Sequence, residues 1–336
     1  MIVRGFLVLF AAASALAFAA PGAKAAPTIA GCPLFPASHV LNARVDKLPV
    51  HPRSAAWIAN LAGKGDGARR NLHMDFGSGL YPDLPARNAA PIGIPVAIVD
   101  SNQARVPVAI RWSDESDQGP YPIPPGVPIE GVGPGNRDGP GDRHVIVVDR
   151  TACKAYEVYN ATPLDQGARW KADAGAIFDL RSNALRPEGW TSADGAGLSI
   201  LHGLVRYDEV AAGSIEHALR FTAQRTRSQA LWPARHHAGK TRSPDVPPMG
   251  ARFRLKASVD LSRFTGEALV IARAMKAYGL VLADNGAAWF VTGVPDPRWD
   301  NTTLRQLSSL AGDDFEAVST HLLMIDEESA EARPFR

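Results

Sequence analysis

The chain lacks an excess of charge of either sign. Lys and Arg total 36, Asp and Glu total 34, and the formal net charge is +2 at pH 7. Two of the cations, Arg4 and Lys24, lie within the first 25 residues, where no acidic residue occurs. Taking these two from the 36 leaves 34 charges of each sign in the rest of the chain. Binding to nucleic acid or to an anionic membrane relies on a basic excess, so the sequence predicts neither partner.

Long apolar runs are also missing beyond the N-terminal region. Arg4 precedes a short uncharged apolar run at residues 6–20, and Ala23-Lys24-Ala25 follows it as an A-x-A cleavage site. These are the features of a secretory signal peptide rather than of a membrane span. The sequence predicts a signal peptide at residues 1–25. The mature part, residues 26–336, is predicted to be one globular β-rich domain that is secreted, either to the periplasm or outside the cell, with no membrane partner.

Cysteine is scarce, since only Cys32 and Cys153 occur. Two cysteines in an exported chain most simply form one disulfide, which here ties the N-terminal segment to the middle of the chain. The alternative is a lipoprotein, because Ile29-Ala30-Gly31-Cys32 has the character of a lipobox. A stretch with Pro and Lys separates that sequence from the apolar run, and lipidation would leave Cys153 unpaired. We therefore predict the disulfide.

Several motifs with known chemistry are absent. No G-x-S-x-G occurs, and no P-loop or G-x-G-x-x-G opens a helix after a strand. These absences argue against a nucleophile elbow and against nucleotide cofactors. His73-x-Asp75 and His236-His237 contain metal-ligand residue types, but their spacing matches no known site. The sequence predicts no cofactor and no metal.

Glycine (30) and proline (27) are abundant, which favours a β-rich protein with long loops. Apolar and alternating patterns predict strands, and 3.6-residue patterns with caps predict helices. A turn at Asp284-Asn285-Gly286 predicts a hairpin of residues 280–283 and 287–292. The other predicted strands are residues 94–99, 106–112, 144–149, 154–160, 175–181, 215–222 and 252–260, and the predicted helices are 54–61, 266–278 and 301–310. This order predicts an antiparallel β-sandwich or jelly roll with a few decorating helices. A β-propeller is the alternative, although no repeat occurs.

Five stretches carry a resemblance to known proteins: GWTSADGAGL at 189–198, GLVRYDEV at 203–210, DRHVIVVD at 142–149, PPMG at 247–250 and YGLVLADNG at 278–286. Together they resemble a group of secreted bacterial β-rich proteins with no assigned activity, and they span nearly the whole mature chain. The resemblance implies export and one shared architecture, and it carries over no catalytic residues. Leu41 and His202 depart from the pattern, which has Trp and Pro there.

The strand alternation places several polar side chains on one predicted sheet face. They are Glu157, Tyr159, Asp179, Arg181, Arg220 and Lys256. This face is either the solvated outside of a sandwich or a polar cleft. Glycoside hydrolysis needs two carboxylates, one of them protonated, so Glu157 and Asp179 are the predicted catalytic pair.

Two long loops, residues 113–142 and 182–213, are predicted to flank one cleft, because long loops within a domain are usually functional. Aromatic side chains on or beside them would stack on sugars: Trp112, Tyr121, Trp190 and Tyr207. Asp208 and Glu209 form a second carboxylate candidate if their segment is a loop, and Asp194 and Asp117 are lesser ones.

The sequence therefore predicts a secreted carbohydrate-active enzyme, with a polysaccharide or oligosaccharide as partner and glycoside hydrolysis as the reaction. One alternative is a polysaccharide lyase, in which His144 or Tyr159 is the base and Arg220 and Lys256 neutralise a uronate. The other is a non-catalytic glycan-binding or cell-surface module. Two carboxylates meeting in a cleft would distinguish an enzyme from a binding module, and nothing in the sequence predicts the oligomeric state.

Overall fold

The computed structural model describes residues 25–61, 71–80, 90–133 and 141–335. All but the last residue of the predicted signal peptide lies outside these ranges. The helices are α1 (Ser54–Leu61), α2 (Ile200–Gly203), α3 (Tyr207–Ala211), α4 (Gly266–Ala277) and α5 (Asn301–Arg305). The strands are β1 (Thr28–Ile29), β2 (Cys32–Pro33), β3 (His73–Asp75), β4 (Val96–Val99), β5 (Val108–Ile110), β6 (Val145–Asp149), β7 (Lys154–Tyr159), β8 (Thr162–Leu164), β9 (Arg169–Ala172), β10 (Ala174–Asp179), β11 (Leu219–Ala223), β12 (Arg227–Ala230), β13 (Pro248–Met249), β14 (Arg252–Leu255), β15 (Leu280–Asn285), β16 (Phe290–Thr292) and β17 (Phe315–Val318).

The predicted fold class is confirmed, because the described chain is mostly β-sheet with a few short helices. The largest sheet has six strands in the order β17-β14-β15-β11-β16-β3. A four-stranded sheet has the order β10-β7-β6-β4, and a three-stranded sheet has the order β5-β9-β8. Two further sheets have two strands each, β1-β2 and β12-β13. No described helix is long and apolar enough to cross a membrane.

The sheets are mixed rather than purely antiparallel. Parallel pairing joins β11 to β15, β16 to β3 and β4 to β6. The hairpin predicted at Asp284-Asn285-Gly286 is wrong, because β11 lies between β15 and β16 and pairs with both. All five residues of β11 are buried, as expected for a strand in the middle of a sheet. As a result, Asp284 and Asn285 end a strand of the large sheet instead of forming an exposed turn.

The sequence pattern predicts the bounds of the two longest described helices to within one residue. Helix α1 has the predicted bounds, and α4 ends one residue before the predicted end. The buried residues of α4 include Ala268, Ile271, Ala272 and Met275, which recur at helical spacing. Gly279 follows with a φ of 74°, a left-handed conformation that glycine adopts without strain. Short-range spacing and a terminal glycine are therefore sufficient to define this helix.

Among the described residues, the buried apolar side chains form three clusters. The largest one packs under the six-stranded sheet, where the Trp289 ring contacts Phe221 and Phe315 at centroid distances of 5.3 Å and 5.1 Å. The second surrounds the cysteines, and the third packs on the four-stranded sheet beside Val147 and Tyr156. Removing a buried aromatic ring from such a cluster typically costs about 3–5 kcal/mol of stability.

The predicted disulfide is confirmed. Cys32 in β2 bonds Cys153, which directly precedes β7, and their Cα atoms are 5.4 Å apart. The bond joins residues 121 positions apart. It therefore fixes the N-terminal segment to the four-stranded sheet.

A group of buried aromatic rings connects the N-terminal segment to α2 and to the segment that precedes β11. Phe35 stacks on His202 at 4.5 Å, and His39 and His217 lie 4.6 Å and 5.9 Å from the His202 ring. His39 Nδ1 accepts a hydrogen bond from the backbone N–H of Leu41. Burial lowers the pKa of His39 to about 3 and the pKa of His202 well below its usual range. Both imidazoles are therefore held neutral in the fold.

Candidate functional site

A cleft of about 280 Å³ opens where the ends of β7 and β15 meet three loops. Asp142 comes from the first predicted loop and residues 191–195 from the second, so the two loops do flank one cleft. The remaining lining residues are Trp112, Tyr159, His236, Ala238, Asp284 and Asn285. The cleft thus combines aromatic side chains with three carboxyl groups, those of Asp142, Asp194 and Asp284.

A buried ion pair lies at the base of the cleft. Arg220 of β11 donates from Nε and Nη2 to the two carboxylate oxygens of Asp194, at 2.8 Å and 2.7 Å. Arg220 also donates to the Thr292 hydroxyl at 2.7 Å. The two side chains are only 4% and 1% exposed, so the pair is shielded from solvent screening. Burial disfavours the charged guanidinium, but the attraction of Asp194 outweighs it and the pKa of Arg220 is raised.

Asp284 lies beside this pair and faces the cleft. Its Oδ1 accepts a hydrogen bond from the backbone N–H of Asn285 at 2.7 Å, and the charge of the Asp194 carboxylate acts on it. Burial and the neighbouring Asp194 charge raise the pKa of Asp284 to about 8, and Arg220 only partly offsets them. Asp284 is thus a neutral carboxylic acid near pH 7, and it keeps some exposed surface in the cleft.

Gly195 makes room for this carboxyl group. A Cβ atom on Gly195 would lie 2.4 Å from Asp284 Oδ1. That approach is far closer than van der Waals contact allows, so any side chain at position 195 would displace Asp284. Glycine is therefore required at position 195 because a side chain would clash with Asp284, and not because the backbone conformation excludes other residues.

A second buried ion pair supports the loop of residues 191–195. His144 Nδ1 donates to Glu130 Oε2 at 2.6 Å, and its Nε2 donates to the carbonyl oxygen of Ala193 at 3.1 Å. Burial acts against protonation of His144, but Glu130 outweighs it and raises the pKa of His144 to about 9. The cationic ring therefore holds Ala193, the residue next to Asp194, in place. The ring is too buried to act as a base on a substrate.

His236 holds the same loop from the other end. Its Nδ1 donates to the carbonyl oxygen of Gly195 at 2.7 Å, and its Nε2 lies 3.7 Å from a carboxylate oxygen of Glu115. The side chain is 25% exposed and lines the cleft. His236 is therefore the imidazole that a bound molecule can reach.

Trp112 and Tyr159 form an aromatic wall. Their rings are nearly parallel, with an interplanar angle of 18° and centroids 5.9 Å apart. Burial and the charges of Asp142 and Asp284 raise the pKa of Tyr159, so its hydroxyl stays protonated. This wall offers apolar surface and one hydroxyl donor to a ligand.

Glu157, the first predicted catalytic carboxylate, does not line the cleft. It is fully buried, and its oxygens accept hydrogen bonds from the Ser199 hydroxyl at 2.6 Å and the backbone N–H groups of Ile200 and Leu201 at 2.9 Å and 3.1 Å. Burial raises its pKa against the effect of these bonds. Glu157 thus satisfies the first amides of α2 and has a structural role.

The predicted shared face of Glu157 and Asp179 is wrong. Glu157 pairs with Ala176 across the sheet, whereas Asp179 pairs with Lys154, so the two carboxylates project from opposite faces. The register between strands decides this, and alternation within each strand does not reveal it. Asp179 is exposed and accepts from the backbone N–H of Arg181, whose guanidinium binds the Ala152 carbonyl at the surface.

Three predicted aromatic platforms lie elsewhere. Tyr121 is fully buried in the third core cluster and donates to the carbonyl oxygen of Asp117 at 2.5 Å. Trp190 directly precedes the cleft loop, but its ring packs under the Arg186 guanidinium. Tyr207 packs against Trp299 with a ring distance of 4.9 Å. Each ring already has a packing partner, so none of the three forms part of the aromatic wall.

The remaining predicted residues are also dispersed. Asp208 and Glu209 lie in helix α3, not in a loop, and both contact Arg206. Glu209 is buried and also contacts His217 at 3.1 Å. Lys256 donates to the Asp313 carbonyl oxygen at 2.6 Å and lines a different pocket. Of the predicted substrate-binding residues, the structure brings Trp112 and Tyr159 into the cleft, with Arg220 directly behind it.

Asp284 and Asp142 line the cleft although no sequence pattern singles them out, and Asp194 is only a lesser carboxylate candidate by sequence. The sequence predicts a turn at Asp284, because Asp-Asn-Gly is a strong hairpin signal. A useful signal was present, since Asp284 directly follows the apolar stretch at 280–283. Within the described ranges, no group of three or more His, Cys, Asp and Glu side chains is arranged to hold a metal.

No known protein family, curated protein or solved structure matches this chain. The function of the cleft therefore has to be argued from its own geometry and charge.

Proposed function

We propose that the protein is a secreted glycoside hydrolase whose catalytic acid is Asp284. The observation that carries the proposal is the position of Asp284, which lines the same cleft as Asp194 and feels the charges of the buried Asp194–Arg220 pair. Glycoside hydrolysis requires a carboxylic acid that can protonate the leaving oxygen. A carboxyl group with a pKa of about 8 holds that proton at neutral pH.

Asp194 and Arg220 act on the substrate only through Asp284. Arg220 binds both oxygens of the Asp194 carboxylate and holds it in place. A fixed negative charge beside Asp284 disfavours a second negative charge there. Asp194 and Arg220 are thus positioning residues, and Asp284 is the group that touches the substrate.

Asp142 supplies the second carboxylate. It is exposed and lines the same cleft as Asp284. The second carboxylate of a glycoside hydrolase acts either as a base on water or as a nucleophile at the sugar carbon. We assign one of these roles to Asp142, in place of the Glu157–Asp179 pair.

The aromatic wall of Trp112 and Tyr159 favours a carbohydrate over other hydrolysable polymers. Sugar rings present C–H groups on their faces, which pack on aromatic rings while the hydroxyl groups bond to polar neighbours. Asp142, His236 and Asn285 supply such neighbours in the cleft. The cleft is large enough for a small ligand or part of a longer chain.

Export is part of the proposal and rests on two observations. The sequence has a signal-peptide pattern at residues 1–25, and the structure contains the Cys32–Cys153 disulfide. Structural disulfides persist in oxidising compartments. Extracellular and periplasmic polysaccharides are the substrates that such a compartment offers.

The test is incubation of the protein with a panel of neutral and acidic polysaccharides, with release of reducing ends as the readout. Asp284→Asn removes the acid and keeps the shape, so we expect activity to fall about 10²- to 10⁴-fold. Asp179→Asn is the matched control, because it is the same substitution on a surface carboxylate outside the cleft. We expect Asp179→Asn to retain full activity.

Three results would contradict the proposal. Equal activity of Asp284→Asn and wild type would show that Asp284 is not the catalytic acid. Products that absorb as unsaturated uronates would indicate a lyase. Tight binding of a polysaccharide without any cleavage would indicate a binding module.

A further inference from the structure

A second cavity, of about 420 Å³, adjoins the cleft. Ala238 and Asn285 line both spaces, so the second cavity lies directly beside the cleft. Asn285 directly follows the proposed acid, Asp284. The second cavity therefore lies where a neighbouring unit of a bound polymer would extend.

The charge of this cavity is positive. Arg225 and Lys240 line it, and none of its lining residues is acidic. Both cations are exposed, and within the described part of the chain neither forms an ion pair. Residues 217–244 contain six Lys and Arg and no Asp or Glu, although the whole chain is nearly neutral. Two of the six, Arg220 and Arg235, already pair with carboxylates, which leaves Arg225 and Lys240 available at the cavity.

The two segments that carry these cations are held firmly together. Ser228 donates from its backbone N–H to the Thr241 carbonyl oxygen at 2.7 Å. A Cβ atom on Gly239 would lie 2.2 Å from the carbonyl oxygen of Thr226, so the backbones are in close contact. The buried Thr226 also donates to the Asn285 side-chain oxygen at 2.8 Å. Asn285 thus fixes the position of the cationic cavity relative to the cleft.

We propose that this cavity binds an anionic group, a carboxylate or a sulfate, on the sugar next to the one that lies at Asp284. The inference rests on the proposed function and specifies its substrate class as acidic polysaccharides. Arg225 and Lys240 would donate charged hydrogen bonds to the anion, and Gln224 lies beside them as a neutral donor. The near-zero charge of the rest of the chain argues against a long phosphate backbone as the ligand.

The test measures binding to the Asp284→Asn protein by calorimetry, so that turnover does not consume the ligand. The probes are a galacturonate hexamer, its neutral methyl ester and a sulfated galactan hexamer. We expect Arg225→Gln combined with Lys240→Gln to weaken binding of an acidic hexamer about tenfold and to leave the neutral ester unchanged. The preferred acidic hexamer distinguishes a carboxylate from a sulfate.

Arg242→Gln is the matched control, since it removes a cation from the same segment that does not line the cavity. We expect its affinities to stay within about twofold of the parent protein. All three substituted side chains are exposed, and unchanged urea midpoints would show that the fold is intact.

The inference is overturned if the double variant binds acidic hexamers as the parent does, or if no acidic hexamer binds better than the neutral ester. It is also overturned if an oligonucleotide of equal charge binds as tightly as the acidic sugars. Different results would contradict the proposed hydrolase function. Acidic hexamers that bind through Arg225 and Lys240 but are never cleaved would support this inference and contradict the hydrolase, and cleavage of neutral glycans alone would do the reverse.

Discussion

Replacement of Arg220 with methionine tests the ion pair at the base of the cleft. Arg220 is 4% exposed and Asp194 is 1% exposed, and two hydrogen bonds of 2.7 Å and 2.8 Å join them. Methionine has a similar length but no charge, so the Asp194 carboxylate would remain buried beside Asp284 without a cation. Removing one partner of a buried pair typically costs about 3–5 kcal/mol. We expect a loss of this size in the free energy of unfolding.

The assay is urea unfolding at pH 7, and Arg150→Met is the matched control. Arg150 also donates two hydrogen bonds to a carboxylate, that of Asp100 at 2.7 Å and 3.0 Å, but the two side chains are 54% and 48% exposed. Water and salt screen an exposed pair, so we expect the Arg150 variant to unfold almost as the wild type does. The two variants share residue type and bond geometry and differ in burial.

A double variant shows whether the cost comes from the uncompensated charge. In Asp194→Asn with Arg220→Met, no charge remains at the pair, so we expect the double variant to be more stable than Arg220→Met alone. The reasoning is refuted if Arg220→Met costs no more than Arg150→Met. It is refuted equally if the double variant is as unstable as the sum of its single substitutions.

Four further predictions follow from single features. The catalytic kcat/KM should fall about tenfold per pH unit above about pH 8, where Asp284 loses its proton; a rate that stays constant to pH 10 would contradict this. Gly195→Ala should lower turnover without a change in the urea midpoint, because its Cβ would displace the Asp284 carboxyl; wild-type turnover would show that the carboxyl position does not matter. Replacing both Cys32 and Cys153 with serine should lower the unfolding free energy by up to about 4–5 kcal/mol, and an unchanged thermal midpoint would count against this. The fold lowers the pKa of His39 to about 3, so the stabilising contribution of the neutral imidazole is complete above pH 6.5 and is lost as the pH falls toward 3. His39→Asn keeps a hydrogen-bond acceptor that does not titrate. The urea midpoint of this variant should therefore fall less between pH 7 and about 4.5 than the midpoint of the wild type.

The sequence by itself determined the local features of this protein. Helix α4 follows from apolar residues at helical spacing and from the glycine at position 279. The disulfide follows from the presence of only two cysteines. The predicted loops at 113–142 and 182–213 both contribute to the cleft, although the second also contains helices α2 and α3. In each case the deciding interactions lie within a few residues, or no other pairing was available.

Only the tertiary structure decided which distant residues meet. Strand β11 lies between β15 and β16 because its buried backbone and side chains need neighbours on both sides, and this separates the two strands of the predicted hairpin. The register of β7 on β10 placed Glu157 and Asp179 on opposite faces. Asp284 gained its raised pKa from Asp194, which is 90 positions away in the chain. A sequence pattern fixes how side chains alternate along one strand, but contacts between strands depend on how the whole core packs, so the site became visible only in the folded chain.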